Sequence, residues 1–243
     1  MIQSNYYLQF ENNFRGKRKD IINRLGYLDP LIDLLIKNTK ENRLLDVGCG
    51  RGEWLQKVQV RIPDSVGIEI DLDMINLCRD NDLNIIQGEA LTTLSNLKDN
   101  SVSLITILHM IEHITYTDLF KLLEQCYRVL SDDGVLIMET PSIDSLLVST
   151  KQFYIDPTHI NHIHPDGLSF FLENIGFNKS KFYYINSGPL STAAPLKITR
   201  ILNGVAQDLL FVASKGQTIS DLIFKDNKNW EGKVGQASTT LEA

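Results

Sequence analysis

The fold is decided by residues 44–54, LLDVGCGRGEW (Leu44 to Trp54). The stretch begins as an apolar strand, and three glycines then follow at every second position. Glycine permits backbone conformations that side chains forbid, and it lets a ligand approach the main chain closely. The spacing is G-x-G-x-G, which differs from the G-x-G-x-x-G pattern of a dinucleotide pyrophosphate site. A strand, a glycine turn and a helix over 52–60 are therefore predicted.

Outward from this stretch, short apolar strands alternate with amphipathic helices. Strands are predicted at 44–47, 65–70, 84–87, 101–108, 134–139, 181–185 and 208–213. Further helices are predicted at 73–79, 118–130, 166–174 and 193–206. Strands that are apolar on both faces indicate a parallel sheet covered by helices on each side. The chain is thus predicted to be an α/β protein with a Rossmann-like, doubly wound, mostly parallel seven-stranded sheet.

The two ends of the chain differ from this core. Ile21, Ile22 and Leu25 have helical spacing, and Pro30 is suited to open a second helix. From Gly216 the chain is polar, and we expect a loosely ordered tail. The predicted organisation is a helical N-terminal extension or lid at 1–40, a core at 41–215, and a polar tail at 216–243.

Composition excludes several classes of protein. The 24 Lys and Arg residues against 30 Asp and Glu give a net charge of −6, which argues against a nucleic-acid partner. The apolar run at 102–111 is far shorter than the roughly twenty residues of a membrane span, and no signal-peptide pattern begins the chain. Cys49, Cys78 and Cys126 are widely spaced, which argues against a disulfide scaffold and fits the cytoplasm.

Two carboxylates flank the glycine turn in a way that suggests a ligand. Glu69 lies 21 residues after Gly48, at the end of the second strand, where a carboxylate can accept both hydroxyls of a ribose. Asp46 lies two residues before the first glycine and would repel a phosphate, but it suits an amino group or a cation. The alternative is that the glycines form only a tight structural turn.

These motifs resemble the first two of the class I S-adenosylmethionine-dependent methyltransferases. The resemblance continues through QGEA (87–90), ILHMIEHI (107–114) and RVLSDDGVLIMETPS (128–142), and it covers roughly residues 41–142. It implies S-adenosylmethionine as the cofactor. The residues it implicates are Asp46, Gly48, Cys49, Gly50 and Gly52 at the methionine end, Glu69 at the ribose, Ile70, Glu89 and Ala90 at the adenine, and Leu108 and His109 at the sulfonium.

A narrower resemblance comes from the flanking motifs FENNFRG (10–16) and FYIDPTH (153–159). These are similar to motifs of methyltransferases encoded among glycosyltransferases in bacterial O-antigen and capsule loci. The resemblance spans about residues 6–177 and implies that a sugar hydroxyl of a polysaccharide is the acceptor. Two alternatives stay open: O-methylation of a small metabolite or phenol, and a catalytically silent binding module.

Histidines are the candidate bases for such a reaction. A hydroxyl is a poor nucleophile at neutral pH, and histidine can accept its proton. The candidates are His113, His159 and His109, although His113 could simply pack the loop after the fourth strand. HMIEH (109–113) also matches the H-x-x-E-H zinc-protease signature, which requires a helix. We expect no metal, but His109, Glu112 and His113 could hold one.

The stretch between the fifth strand and residue 165 is long enough to call for a function. We expect the acceptor to bind between this stretch and the N-terminal helices, with Phe153 and Tyr154 stacking on a sugar ring. Asp156 would either orient His159 or hydrogen-bond the acceptor.

The basic run at 15–19 is open to two interpretations. It could be a solvated helix start. Alternatively, Arg15 could reach over the donor's carboxylate, or the run could bind an anionic glycan or a lipid phosphate, as in peripheral association with a membrane.

Overall fold

The structure is a computed structural model that describes residues 6–39, 42–187, 206–225 and 230–231. Its strands form one seven-stranded sheet in the order β3-β2-β1-β4-β5-β7-β6. The strands are β1 (Arg43–Val47), β2 (Asp64–Glu69), β3 (Ile85–Gln87), β4 (Val102–Leu108), β5 (Leu130–Pro141), β6 (Lys179–Ser187) and β7 (Ala206–Ser214). Strand β7 is antiparallel to β5 and β6, and the other pairs are parallel. The predicted fold class is confirmed.

Helices cover both faces of the sheet and form the N-terminal extension. They are α1 (Tyr6–Phe14), α2 (Arg18–Arg24), α3 (Asp29–Asn38), α4 (Glu53–Val58), α5 (Leu72–Asp80), α6 (Ala90–Ser95), α7 (Tyr116–Val129), α8 (Pro165–Ile175) and α9 (Gln217–Phe224). Shorter helical turns occupy Leu25–Leu28, Ile111–His113, Val148–Gln152 and Phe153–Ile155. Within the described ranges, each helix is too short or too polar to cross a membrane.

The core is divided in two by the sheet, because successive strand residues point to opposite faces. On β4, Leu104 packs with Leu31 of α3 and Leu55 of α4 in one apolar cluster. Its neighbour Ile105 packs with Leu123 of α7 in the other. This double burial explains why the central strands read as continuous apolar runs.

Three features of the fold differ from the sequence prediction. Helix α6 was not predicted, because its six residues are too few to show a helical pattern of apolar residues. Strand β5 begins at Leu130 instead of at residue 134, because Val102 pairs with Leu130 before a register shift. The expectation of a loosely ordered tail is wrong for its first part, since α9 buries Ile219 and Ile223. Of the helix predicted at 193–206, residues 193–205 lie outside the described part and Ala206 begins β7.

Candidate active site

A cavity of about 450 Å³ opens at the carboxyl ends of β1, β2, β3 and β4. This edge is where ligands bind in open α/β sheets, and the volume is typical of a small-molecule site. Helix α1 closes the cavity from outside. The walls include Gly48, Gly50, Glu69, Ile70, Glu89, Ala90, His109 and Arg15 from the predicted site, together with Tyr7, Glu11, Met110, His113 and Thr158.

The glycine turn fits against the cavity because it lacks side chains. Gly48 and Gly50 have φ angles of +69° and +53°, a region that favours glycine. A Cβ atom on Gly48 would lie 2.6 Å from the Met110 Cγ, whereas one on Gly50 would meet nothing within 4 Å. The turn at Gly50 therefore faces open space that a ligand can fill.

The Glu69 carboxylate joins this turn to the end of β2. Its Oε2 accepts a hydrogen bond from the Gly50 N–H at 2.8 Å, and its Oε1 accepts from the N–H groups of Ile70 and Asp71 at 2.8 and 3.0 Å. Each carboxylate oxygen has two lone-pair sites, so both sites on Oε1 are used and one site on Oε2 remains for a ligand hydroxyl. The Ile70 side chain beside it is 66% exposed and forms an apolar wall. This pairing fits a nucleoside.

Glu89 lines the cavity and is also the N-cap of α6. Its carboxylate caps α6 by accepting hydrogen bonds from the N–H groups of Leu91 and Thr92 at 2.9 and 2.7 Å. Burial opposes ionisation, but the bonds with Thr92 and Leu91 outweigh it and lower the pKa of Glu89. The adjacent Ala90 also lines the cavity.

Four residues of the predicted cofactor site lie outside the lining: Asp46, Cys49, Gly52 and Leu108. Asp46 is buried and accepts a hydrogen bond from the Thr106 hydroxyl at 2.7 Å. Burial raises the pKa of Asp46 to about 7. Cys49 and Leu108 are likewise buried, and the Cβ of Cys49 is close to Gly67 rather than to the cavity. Direct contact of these four residues with a ligand stays a prediction.

A second cavity of about 340 Å³ adjoins the first. The two share four lining residues: Glu11, Arg15, His109 and His113. The other walls come from α1, α2, the segment after β5, and the start of β7. They are Phe10, Phe14, Arg24, Gln152, Ile155, Asp156, His159, Gln207 and Asp208. A cavity therefore lies where the sequence predicted the acceptor, between that segment and the N-terminal helices.

His109 is held among carboxylates at the end of β4. Its Nε2 lies 3.1 Å from Glu139 Oε1, and its Nδ1 lies 3.4 Å from Glu112 Oε1. Burial alone would lower the pKa of His109, but Glu112, Glu139 and the nearby Asp208 together raise it to about 10. The ring is therefore a cation at neutral pH. A cation cannot accept a proton, which argues against His109 as a base.

His113 and His159 lie next to each other, with ring centroids 4.6 Å apart. His113 Nδ1 is 2.8 Å from the Thr158 hydroxyl oxygen. Burial lowers the pKa of His113, despite the opposing charge of Glu112. His159 Nδ1 is 2.8 Å from the Phe153 carbonyl oxygen, and its Nε2 is 4.0 Å from Asp156 Oδ2. The expectation that Asp156 orients His159 is wrong as regards hydrogen bonding, because a main-chain carbonyl holds the ring. The alternative, that Asp156 hydrogen-bonds the acceptor, stays a prediction.

Comparison with known proteins assigns the chain to a family. A family model described as a methyltransferase domain matches residues 18–181. The chain belongs to this methyltransferase family.

Solved structures agree with the assignment. A SAM-dependent methyltransferase from Archaeoglobus fulgidus is 31% identical, with a TM-score of 0.74 over 86% of this chain and 100% of that one. A possible histamine N-methyltransferase from Thermotoga maritima shares the fold at 19% identity and a TM-score of 0.61, covering 88% and 98% of the chains. Phosphoethanolamine N-methyltransferase 2 from Haemonchus contortus, solved with S-adenosyl-L-methionine, shares it at 13% identity and 0.59, covering 86% and 60%. No curated protein sequence matches the chain significantly. The family and the first relative support S-adenosylmethionine as the cofactor.

The aromatic wall of the methyltransferase's second cavity differs from the prediction. Phe153 is only 3% exposed and stacks on His162 at 3.7 Å, so it has no free face, and Tyr154 lies outside the lining. The free aromatic faces come from α1, where Phe10 and Phe14 lie 4.8 Å apart and Phe14 is 64% exposed. Their position depends on how α1 docks, which sequence spacing does not reveal.

Arg51 docks α1 onto the methyltransferase core, and sequence reasoning missed this role. The buried guanidinium donates to the carbonyl oxygens of Glu11 and Gly16 at 3.3 and 3.2 Å, and to the Asn12 side chain at 2.9 Å. Arg18 adds a bond to Gln56 at 2.8 Å. In the sequence, this role is indicated only by the position of Arg51 between two glycines of the turn.

Two arginines of the basic run make hydrogen bonds that a solvated helix start would lack. Arg15 lines both cavities and donates to the Glu11 carboxylate at 3.1 Å. Arg18 contacts the core, as described above. The interpretation of the run as merely solvated is therefore wrong for these two arginines, whereas Lys17 and Lys19 are exposed.

The H-x-x-E-H stretch does not form the helix that a zinc-protease site needs. Its residues follow β4 and include only a short turn at Ile111–His113. Glu112, His113 and His159 do have possible ligand atoms within 4.8 Å of one another, as do His109, Glu139 and Asp208. In the second group the protonated His109 already lies against both carboxylates, and a protonated ring has no lone pair with which to bind a metal ion.

Proposed function

We propose that the protein is an S-adenosylmethionine-dependent O-methyltransferase whose acceptor is a hydroxyl of a saccharide, as in O-antigen or capsule polysaccharide synthesis. The observation that carries this proposal is the second cavity, which adjoins the first across His113. The arrangement gives the donor and the acceptor separate sites with two histidine rings, His109 and His113, between them.

The first cavity has the groups that this cofactor requires. Glu69 would accept a hydrogen bond from a ribose hydroxyl, Ile70 would pack on the adenine, and Gly48 and Gly50 would receive the methionine part. Arg15 would face the carboxylate of that part. When bound, S-adenosylmethionine would supply a methyl group whose carbon a hydroxyl oxygen can attack, with the neutral thioether as the leaving group. The chain's own residues align the two reactants, and alignment alone supplies a large part of such rate enhancements.

The second cavity suits a neutral, hydroxyl-rich acceptor. Its charged walls are balanced, with Glu11, Asp156 and Asp208 against Arg15, Arg24 and the protonated His109. Such a set can hydrogen-bond several hydroxyls, and it favours neither an ammonium nor a phosphate. Phe10 and Phe14 provide flat apolar faces, against which the C–H face of a sugar ring can pack.

One of the histidines would accept the hydroxyl proton. His109 is already protonated at neutral pH, and His159 lines only the second cavity. His113 lines both, and its lowered pKa keeps it neutral and able to accept a proton. A positioned base of this kind contributes about 10²–10⁴-fold to a rate.

The same pair of aromatic side chains gives a second candidate function. Phe10 and Phe14 would also stack on a phenol ring, so O-methylation of a small phenolic metabolite is the alternative. A phenol is more acidic than a sugar hydroxyl and depends less on a base. The two functions therefore differ in how strongly turnover depends on His113.

The test measures transfer of a labelled methyl group to three panels of acceptors: oligosaccharides, phenols and amines. We expect O-methylated sugar as the product, and binding of S-adenosylhomocysteine by calorimetry in a one-to-one ratio. Product formed only from phenols or only from amines would overturn the saccharide assignment. Absence of cofactor binding would overturn the cofactor assignment as well.

A further inference from the structure

We infer that Asp156 and Thr158 are positioning residues for His113: they hold its proton on Nδ1 and so leave Nε2 as the atom that accepts the acceptor's proton. This inference rests on the proposed function and deepens it. It concerns a chain of three side chains that connects the segment after β5 to the turn after β4.

The direction of each hydrogen bond follows from the chemistry of its partners. The Thr158 hydroxyl oxygen lies 2.6 Å from Asp156 Oδ1. An ionised carboxylate can only accept, so the single hydroxyl proton of Thr158 lies between these two oxygens. The same hydroxyl oxygen is 2.8 Å from His113 Nδ1. Having no second proton, it must accept there, and His113 Nδ1 must donate.

Asp156 is itself fixed, so the chain of bonds has a rigid end. Its Oδ1 also accepts from the Thr158 N–H at 2.8 Å, and its Oδ2 accepts from the Tyr7 hydroxyl at 3.2 Å. Asp156 is buried. These contacts hold the carboxylate against its own loop and α1. The carboxylate is therefore fixed as the acceptor for the Thr158 hydroxyl.

A neutral imidazole carries one proton, so a proton on Nδ1 leaves the lone pair on Nε2. As the acceptor hydroxyl reacts, its proton passes to Nε2 and the ring becomes an imidazolium with both nitrogens protonated. The ring returns to the neutral form by releasing the Nε2 proton to solvent, and Thr158 and Asp156 gain and lose no proton. The charged or titratable groups around the ring are Glu112, Asp156, His109, His159 and Tyr7.

The first experiment reads the proton position directly, in the free protein. Nitrogen-15 NMR of histidine rings distinguishes a protonated from an unprotonated Nδ1, and His113→Gln assigns the signal. At a pH where His113 is neutral, we expect the wild type to show the Nδ1-protonated form. Asp156→Ala frees the Thr158 hydroxyl to donate to Nδ1, so the other form should appear. An Nε2-protonated His113 in the wild type would overturn the inference.

The second experiment measures turnover. Thr158→Val has nearly the same shape but cannot accept from Nδ1, and we expect kcat at saturating cofactor to fall at least tenfold. Thr158→Ser should restore the tautomer and most of the turnover. Thr150→Val removes a threonine bond to a carbonyl in the same segment, outside both cavities, and should leave turnover unchanged.

The two proposals fail in different ways. If the wild type transfers no methyl group to any hydroxyl, the proposed function fails, while the NMR result still tests the hydrogen-bond chain. If Thr158→Val loses the Nδ1-protonated form but keeps its kcat, the positioning role is overturned and the methyltransferase activity stands. Loss of turnover in Thr158→Ser with an unchanged tautomer would likewise overturn it.

Discussion

The two cavities are built from different parts of the chain. The first is formed mostly by residues at or just after the ends of β1, β2, β3 and β4. The second is formed by side chains far apart in sequence, such as Phe14, Asp156 and Asp208. A site at successive strand ends is specified by local sequence and by the topology of the sheet. A site between packed segments depends on how those segments dock.

The largest effect should come from His113, at the boundary of the two cavities. We expect His113→Ala to lower kcat at least a hundredfold with a sugar acceptor, because the base is lost. Calorimetry should give a cofactor Kd within about twofold of the wild type. A matching loss of cofactor binding would mean that the two cavities are not functionally separate.

Glu69 tests the first cavity by itself. We expect Glu69→Ala to weaken cofactor binding by about 1–3 kcal/mol, or roughly fivefold to 150-fold in Kd, because the ribose loses its acceptor. The acceptor KM should stay unchanged at saturating cofactor. Glu124→Ala, an exposed residue of α7 outside both linings, is the control. An unaffected Kd would remove Glu69 from the cofactor site.

Phe14 tests the second cavity by itself. We expect Phe14→Ala to raise the acceptor KM by about threefold to tenfold, since an aromatic stacking contact contributes about 0.5–1.5 kcal/mol. The cofactor Kd should not change. Phe170 of α8 is similarly exposed, at 69%, and lines neither cavity, so Phe170→Ala is a matched control. Equal effects of the two substitutions would exclude a specific aromatic wall.

The smallest effect concerns stability and pH. The folded-state pKa of His109 is about 10, above the usual 6.5 of the unfolded chain. Its stabilising contribution is therefore complete below pH 6.5 and is lost as pH rises towards 10. We expect His109→Gln to lower the Tm by a few degrees at pH 6.5 and by less at pH 9.5. A Tm difference that grows with pH would contradict a protonated His109.

Much of the fold could be predicted because its signals are local. A few consecutive residues are enough to recognise the apolar runs of β1 and β4 and the glycines at 48, 50 and 52. Helix α6 could not be predicted, because six residues carry too little periodicity. The first residues of β5 were missed because Ser131, Asp132 and Asp133 are polar and lie at the irregularity between the paired residues Leu130 and Val135.

The candidate site follows the same division. Glu69 and Ile70 were predicted and line the first cavity. Phe153 was predicted to face the acceptor because it is aromatic and lies in the right segment, but the ring packs on His162 instead. Sequence spacing places Thr158 two residues after Asp156, yet only the folded chain brings its hydroxyl to His113. Contacts between distant segments carry no local signal.

Arg51 has a thermodynamic consequence for ligand binding. Its guanidinium joins the glycine turn, a wall of the first cavity, to α1, which contributes to both. A ligand that orders either element thereby orders the other. Such a connection is a coupling free energy, and coupling is reciprocal. Donor and acceptor should therefore raise each other's affinity by one common factor, whichever of them arrives first.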